Sequence, residues 1–177
     1  MKPLSQKTAL ERLRKLKANF RDMIARTFEY RAKSCVTCEV KGSCCLDAHF
    51  VNVHISRLEA VSVVHRLDLL DQQHRSEVLD RIDGTVEKYG LSESDEMFSQ
   101  TFACPLFEKG TGCLIHESGK PLACITHACY ESSSDMPPDD LLTEQELAVD
   151  ALNRQAYRNK NRWLPLPLAI RNVLRRD

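Results

Sequence analysis

A mainly helical fold, a small domain carrying two cysteine-rich loops and little strand, is what this sequence predicts. Three observations carry that prediction. Apolar residues recur at three- and four-residue steps through several long stretches. Ser/Thr-x-x-Glu signatures open two of those stretches. Strict alternation of apolar and polar residues is confined to one short run, residues 51–55. A chain of 177 residues is long enough to bury a core of its own. Its 42% hydrophobic and 28% charged content suits a folded chain and argues against long disordered regions.

Residues 5–31 read as one long amphipathic helix. Leu10, Leu13, Leu16, Phe20, Met23, Ile24 and Phe28 repeat at helical steps, and Ser5 is placed as its N-cap. Arg12, Arg14, Lys15, Lys17 and Arg21 fall largely elsewhere on the wheel. Residues 34–48 are expected to form a loop. Val51, Val53 and Ile55 alternate against Asn52 and His54, which predicts a short extended segment. Ser56-Arg57-Leu58-Glu59 fits a capping box and opens a helix through about residue 70. Another helix is predicted over residues 75–89, with Val78, Leu79, Ile82, Val86 and Tyr89 as its stripe and Gly90 as its stop.

Residues 91–101 are polar and acidic, the composition of a loop. Residues 102–130 are turn-rich, with Gly110, Gly112 and Gly119. Ser132 to Asp140, with Pro137-Pro138, reads as a linker. Thr143-Glu144-Gln145-Glu146 is a second capping box and predicts a helix to about residue 160. Pro167 suits the first turn of a short last helix through Leu174. The organisation expected is an N-terminal helix over 1–33 and a cysteine-cluster segment over 34–130. A linker with C-terminal helices over 131–177 would pack on the same domain.

The formal net charge is zero, but the charge is unevenly spread. Residues 1–33 carry ten Lys/Arg against three Asp/Glu, residues 34–150 eight against twenty-one, and residues 151–177 seven against one. Basic terminal helices lying against an acidic middle account for this pattern. A basic surface for a nucleic acid or an acidic protein is the other reading. No secretory h-region is visible, and no run approaches the ~20 apolar residues of a membrane span. A soluble protein of the reducing cytoplasm is therefore expected, where structural disulfides are rare.

That expectation makes the eight cysteines informative. They fall in two groups, Cys35-x2-Cys38-x5-Cys44-Cys45 and Cys104-x8-Cys113-x10-Cys124-x4-Cys129. A C-x2-C pair turns two sulfurs onto one metal or cluster, and thiolates are soft ligands suited to zinc or iron–sulfur. Each such group takes about four protein donors, so eight thiols cover two sites, or one site with spare thiols. Adjacent Cys44 and Cys45 point in different directions in most backbone conformations. One is expected to ligate the main site, while the other reaches a second metal or packs as a small apolar side chain. A redox role for Cys35-x2-Cys38 lacks its usual βαβ setting.

The two blocks resemble the YkgJ-type cysteine-cluster family, also described as a zinc- or iron-chelating domain. The stretches that carry the resemblance are Cys35 to Cys45, Val53-His54-Ile55-Ser56, and Cys104-Pro105-Leu106-Phe107 through Gly112-Cys113-Leu114-Ile115-His116-Glu117 to Lys120-Pro121-Leu122-Ala123-Cys124. The likeness spans roughly residues 35–130. The chain departs from the family pattern in four ways. Five residues precede Cys44-Cys45 where two are usual, His116 stands where an aromatic is commoner, Lys120 replaces Arg, and Cys129 is an addition. The resemblance implies metal chelation, with iron–sulfur binding in some relatives, and no defined reaction.

All eight cysteines, Cys35, Cys38, Cys44, Cys45, Cys104, Cys113, Cys124 and Cys129, are thus the candidate ligands. An iron–sulfur cluster of the 4Fe-4S type is favoured over Zn2+, because the spacing lacks the paired regularity of zinc ribbons. Among nearby imidazoles, His127 is a better candidate than His49 or His116, while His54, His65 and His74 read as surface or interfacial residues. Glu117 and Glu131 read as solvated loop carboxylates. No Ser-His-Asp set, P-loop or dinucleotide fingerprint is present, so no enzymatic reaction is assigned. Electron transfer or support of a redox enzyme is the function expected, with a protein partner rather than nucleic acid and no membrane. A structural-zinc module whose basic terminal helices bind a protein or nucleic acid is the alternative.

Overall fold

The computed structural model describes residues 2–34, 42–46, 52–93, 101–158 and 162–176. Helix dominates them, as predicted. The elements in chain order are α1 (Gln6–Thr27), a 3-10 turn (Glu29–Arg31), α2 (Ser43–Leu46), β1 (His54–Ile55), α3 (Arg57–Leu67) and α4 (Gln72–Lys88). Then come β2 (Phe107–Glu108), β3 (Gly112–Cys113), α5 (Leu122–Thr126), a second 3-10 turn (Ser133–Asp135), α6 (Asp139–Tyr157), β4 (Leu164–Pro165) and α7 (Leu166–Leu174). They form two compact units, each discontinuous in sequence: Met1–Lys41 with Lys120–Asn161, and Gly42–Gly119 with Arg162–Asp177.

In the first unit α1 packs on α5 and α6. Ser5 caps it, its Oγ accepting from the Thr8 amide at 3.1 Å. The buried stripe is Ala9, Leu13, Phe20 and Ile24, with Leu122, Ile125 and Val149 buried on α5 and α6. Lys17 is also buried on this helix, although its charge alone would have placed it outside. The start of α1 is tied to the end of α6: the Leu4 amide donates to the Gln155 carbonyl at 3.1 Å, and the Tyr157 hydroxyl to Gln6 Oε1 at 3.0 Å. The single long helix expected to residue 31 stops at Thr27, and the chain tightens into the 3-10 turn.

The start of α6 also differs from expectation. Pro138 rather than Thr143 precedes the first turn, and Asp139 and Asp140 supply negative charge where the helix dipole favours it. Thr143 lies inside the helix, its hydroxyl donating to the Asp139 carbonyl at 2.9 Å. The capping-box pattern at Thr143 is therefore a coincidence of composition.

In the second unit the Ser56 capping box is realised. Ser56 Oγ accepts from the Glu59 amide at 3.2 Å, and Glu59 Oε2 accepts from the Ser56 amide at 3.3 Å. Both residues are buried, and α3 places Leu58, Val61 and Val64 in the core. Asp71 caps α4, accepting from the His74 amide at 3.0 Å, so this helix begins three residues before the expected start. Gly90, at φ +59°, follows its end, as predicted. The apolar helix α7 covers α3 and α4. It is entered through an antiparallel pairing of β1 with β4, His54 opposite Pro165 and Ile55 opposite Leu164. Pro167 stands in its first turn, as expected. Of the extended run predicted at 51–55, the paired strand is His54–Ile55; Val51 lies outside the described residues.

Candidate metal centre

The local sequence first explains how Cys44 and Cys45 are presented. Gly42, at φ +79°, turns the chain into the single helical turn of α2. Its carbonyl accepts the amides of Cys45 at 2.8 Å and Leu46 at 3.0 Å. A Cβ built on Gly42 would also meet the Phe107 ring, which would have to move aside. An aromatic ring of the second cysteine block thus lies directly on the backbone of the first.

The second block folds back to meet it. The Cys104 amide donates to the Cys45 carbonyl at 2.7 Å, a direct main-chain link across 58 intervening residues. β2 and β3 then form a small hairpin with Phe107 opposite Cys113 and Glu108 opposite Gly112. Gly110 and Gly112, at φ +93° and +97°, allow its tight turn. Phe102, Leu106 and Ile115 are buried and anchor the hairpin in the core of the second unit. Glu108 fastens it to α4: its Oε1 accepts from His74 Nε2 at 2.8 Å and from an Arg81 guanidinium nitrogen at 2.6 Å. Burial alone would push this carboxyl up, but the His74 and Arg81 hydrogen bonds outweigh it and hold it below the ordinary carboxylate range.

Four thiols consequently gather in the second unit around Cys45. Burial raises the Cys45 thiol pKa, and proximity to Cys44, Cys104 and Cys113 raises it further. All four are half-buried thiols rather than disulfides. Among the described residues, no group of three or more His, Cys, Asp or Glu side chains is already disposed to hold a metal ion. The chemistry of the donors fits a thiophilic centre, because a metal's positive charge offsets the burial and the neighbouring thiols that disfavour the Cys45 thiolate. Comparison with known protein families, curated proteins and solved structures finds no match to this chain.

The remaining candidates fall elsewhere. Cys35, Cys38 and His49 lie outside the described residues. Cys124, on α5, and Cys129 are half-buried thiols of the first unit. The Lys33 amide donates to the Cys129 carbonyl at 2.9 Å, in an isolated antiparallel bridge. The Lys33 ammonium pairs with Glu131 at 2.8 Å; that bond, with a smaller contribution from Cys129, raises the Lys33 pKa. Glu131 is therefore an ion-pair partner as well as an exposed loop carboxylate, while Glu117 is exposed.

His127 follows α5, and burial, with the nearby Lys120 charge, pushes its imidazole pKa down. His116 and His65 are exposed, whereas His54 is half-buried, and that burial lowers its pKa against the hydrogen bond it donates to the Asn52 backbone. His74 is interfacial, as expected, but its partner Glu108 was not foreseeable. No periodicity joins residues 34 positions apart. Gly42 and Phe107 carried no separate signal either, beyond a glycine standing just before the Cys44-Cys45 pair.

Proposed function

We propose that this chain is a metal-binding protein of the cytoplasm. It holds an iron–sulfur cluster, of the 4Fe-4S type, and serves electron transfer or supports a redox enzyme through a protein partner. Membership of the YkgJ-type cysteine-cluster family belongs to the same proposal and rests on the motifs quoted above. One observation supports the reading: the Cys104–Cys45 main-chain bond joins the two cysteine blocks in the second unit, where Cys44, Cys104 and Cys113 are near enough to Cys45 to perturb its thiol. Their all-thiolate chemistry suits one sulfur per iron. Their order, a vicinal pair and then two thiols with eight residues between them, lacks the C-x2-C pairing of a zinc ribbon. When bound, the cluster would supply one-electron redox chemistry. The cysteines of this chain would hold it, and the His74–Glu108–Arg81 contacts fix the hairpin that carries Cys113. Among the described residues no helix is long and apolar enough to cross a membrane.

Metal and acid-labile sulfide analysis of anaerobically purified protein tests the proposal. About four iron and four sulfide per chain are expected at this centre, with brown absorbance that bleaches on reduction. Colourless protein with zinc in place of iron would replace the reading with the structural-zinc one. Neither metal in stoichiometric amount would end both. In Cys113→Ser, loss of the iron and a fall in melting temperature of about 10 °C or more are expected, because metal binding and folding are coupled.

A further inference from the structure

Two side chains that a core would ordinarily take, Tyr30 and Met136 of the first unit, stand exposed by 66% and 52%. They are remote in sequence, but one guanidinium links them. Arg31 Nε donates to the Tyr30 hydroxyl at 2.9 Å, and the guanidinium carbon lies 5.2 Å from the Tyr30 ring centroid. The same side chain reaches Asp135, with a terminal nitrogen 3.9 Å from Oδ1. Met136 follows Asp135 directly as the C-cap of the second 3-10 turn, its amide donating to the Ser133 carbonyl at 3.3 Å. The two apolar groups therefore belong to one surface patch, which the hydrogen bond and ion pair of Arg31 hold together. The helix that enters this patch is basic on its solvent side. Lys7, Arg12, Arg14, Lys15 and Arg26 of α1 are exposed, and among the described residues they make no ion pair. Glu11 and Asp22 are the acids exposed on the same helix.

We infer that Tyr30 and Met136, with the basic face of α1 leading into them, form the docking surface for a protein partner whose contact region sets apolar side chains among Asp and Glu. The inference rests on the proposed function for the existence of a protein partner, and adds where that partner docks and by what chemistry. Tyr, Met and Arg are enriched at the centres of protein interfaces. Arg31 holds the Tyr30 ring in place, so little side-chain freedom is lost when a partner covers it. Met136 supplies a flexible thioether that adapts to an apolar neighbour. The free cations of α1 complement carboxylates and steer their approach. A nucleic acid fits this patch less well. Arg31 is paired with Asp135, and Lys33 with Glu131 at 2.8 Å, so a phosphate chain beside Tyr30 would meet two carboxylates where it needs free cations.

Random peptides displayed on phage, selected on the anaerobically purified full-length chain, test this. Enriched sequences are expected to be acidic and to carry aromatic or aliphatic residues. The most enriched peptide, made synthetically with a fluorescent label, should bind in an anisotropy titration, and more tightly at low salt than at high salt. Tyr30→Ala/Met136→Ala and Arg14→Glu/Lys15→Glu are each expected to weaken it by about tenfold or more, with helical circular dichroism unchanged. All four residues are exposed, so their replacement spares the core. Enrichment of no peptide, enrichment of basic or wholly polar ones, or equal binding by the variants overturns the inference. Oligouridylate that competes with the peptide and is lost in Tyr30→Ala also overturns it, by assigning the patch to single-stranded nucleic acid. A wild-type dimer that Tyr30→Ala/Met136→Ala converts to monomer, read by light scattering, overturns it in favour of a second copy of this chain. Iron measured on the same preparations separates the two readings. Peptide failure with full iron content sinks this inference alone, whereas peptide binding by a chain without iron sinks the iron–sulfur proposal alone.

Discussion

At the scale of single residues, two contacts govern how the thiols of the second unit are held. Gly42 combines a left-handed backbone with the close approach of the Phe107 ring. Alanine there has to accept the strained φ and displace the ring as well, so Gly42→Ala should cost about 1–3 kcal/mol. Urea unfolding at neutral pH checks this, and a stability equal to the parent's would show that the ring does not press on this backbone in solution. Glu108 governs the hairpin's attachment to α4. Its folded pKa lies below the ordinary value of 4.5, so its stabilisation is present above that pH and is lost as the pH falls through the folded pKa. Wild type and Glu108→Gln should therefore differ in stability at pH 6–7, by about 1–2 kcal/mol, and converge in the acid range. A difference that stayed constant between neutral pH and pH 3 would contradict the assignment. Neither contact was legible in the sequence, because each joins residues far apart in the chain, and nothing local marks a glycine that an aromatic ring will cover.

Among the helices and turns, legibility follows from where the determining forces lie. The caps at Ser5 and Ser56 were readable because a cap is a contact between near neighbours. The stripes Leu13–Phe20–Ile24 and Val78–Ile82–Val86 were readable from their period alone. The start of α6 was misplaced because Thr143-x-x-Glu146 satisfies the pattern while Pro138 and the two following aspartates set the actual first turn. Strand content was the least legible. β1 exists through β4, which lies more than 100 residues later, and β2 and β3 are two residues each. The capping box on α3 offers a direct test, because both of its partners are buried. Ser56→Ala removes a cap and leaves the Glu59 carboxylate with fewer donors, so a loss of about 1–2 kcal/mol is expected, read from the shift in melting temperature. Ser5→Ala, at an exposed cap, should cost no more than about 1 kcal/mol by the same measurement.

For the molecule as a whole, the mainly helical class was open to sequence reading, but the grouping of the thiols was not. Periodicity and spacing describe neighbours along the chain, whereas the boundary between the compact units falls within the second cysteine block, between Cys113 and Cys124. Removal of metal should be felt across the chain. Anaerobic chelation is expected to lower the melting temperature and to speed amide exchange in the β2–β3 hairpin more than in α7, whose apolar face is buried against α3 and α4. Equal exchange in both would indicate that metal does not order the hairpin. The discontinuity of the units also bears on synthesis. α7 is made more than 70 residues after α4, yet α3 and α4 pack against it. Until it is made, the nascent chain carries α3 and α4 without their covering helix. A chain arrested at residue 161 should therefore expose that apolar surface and need a chaperone.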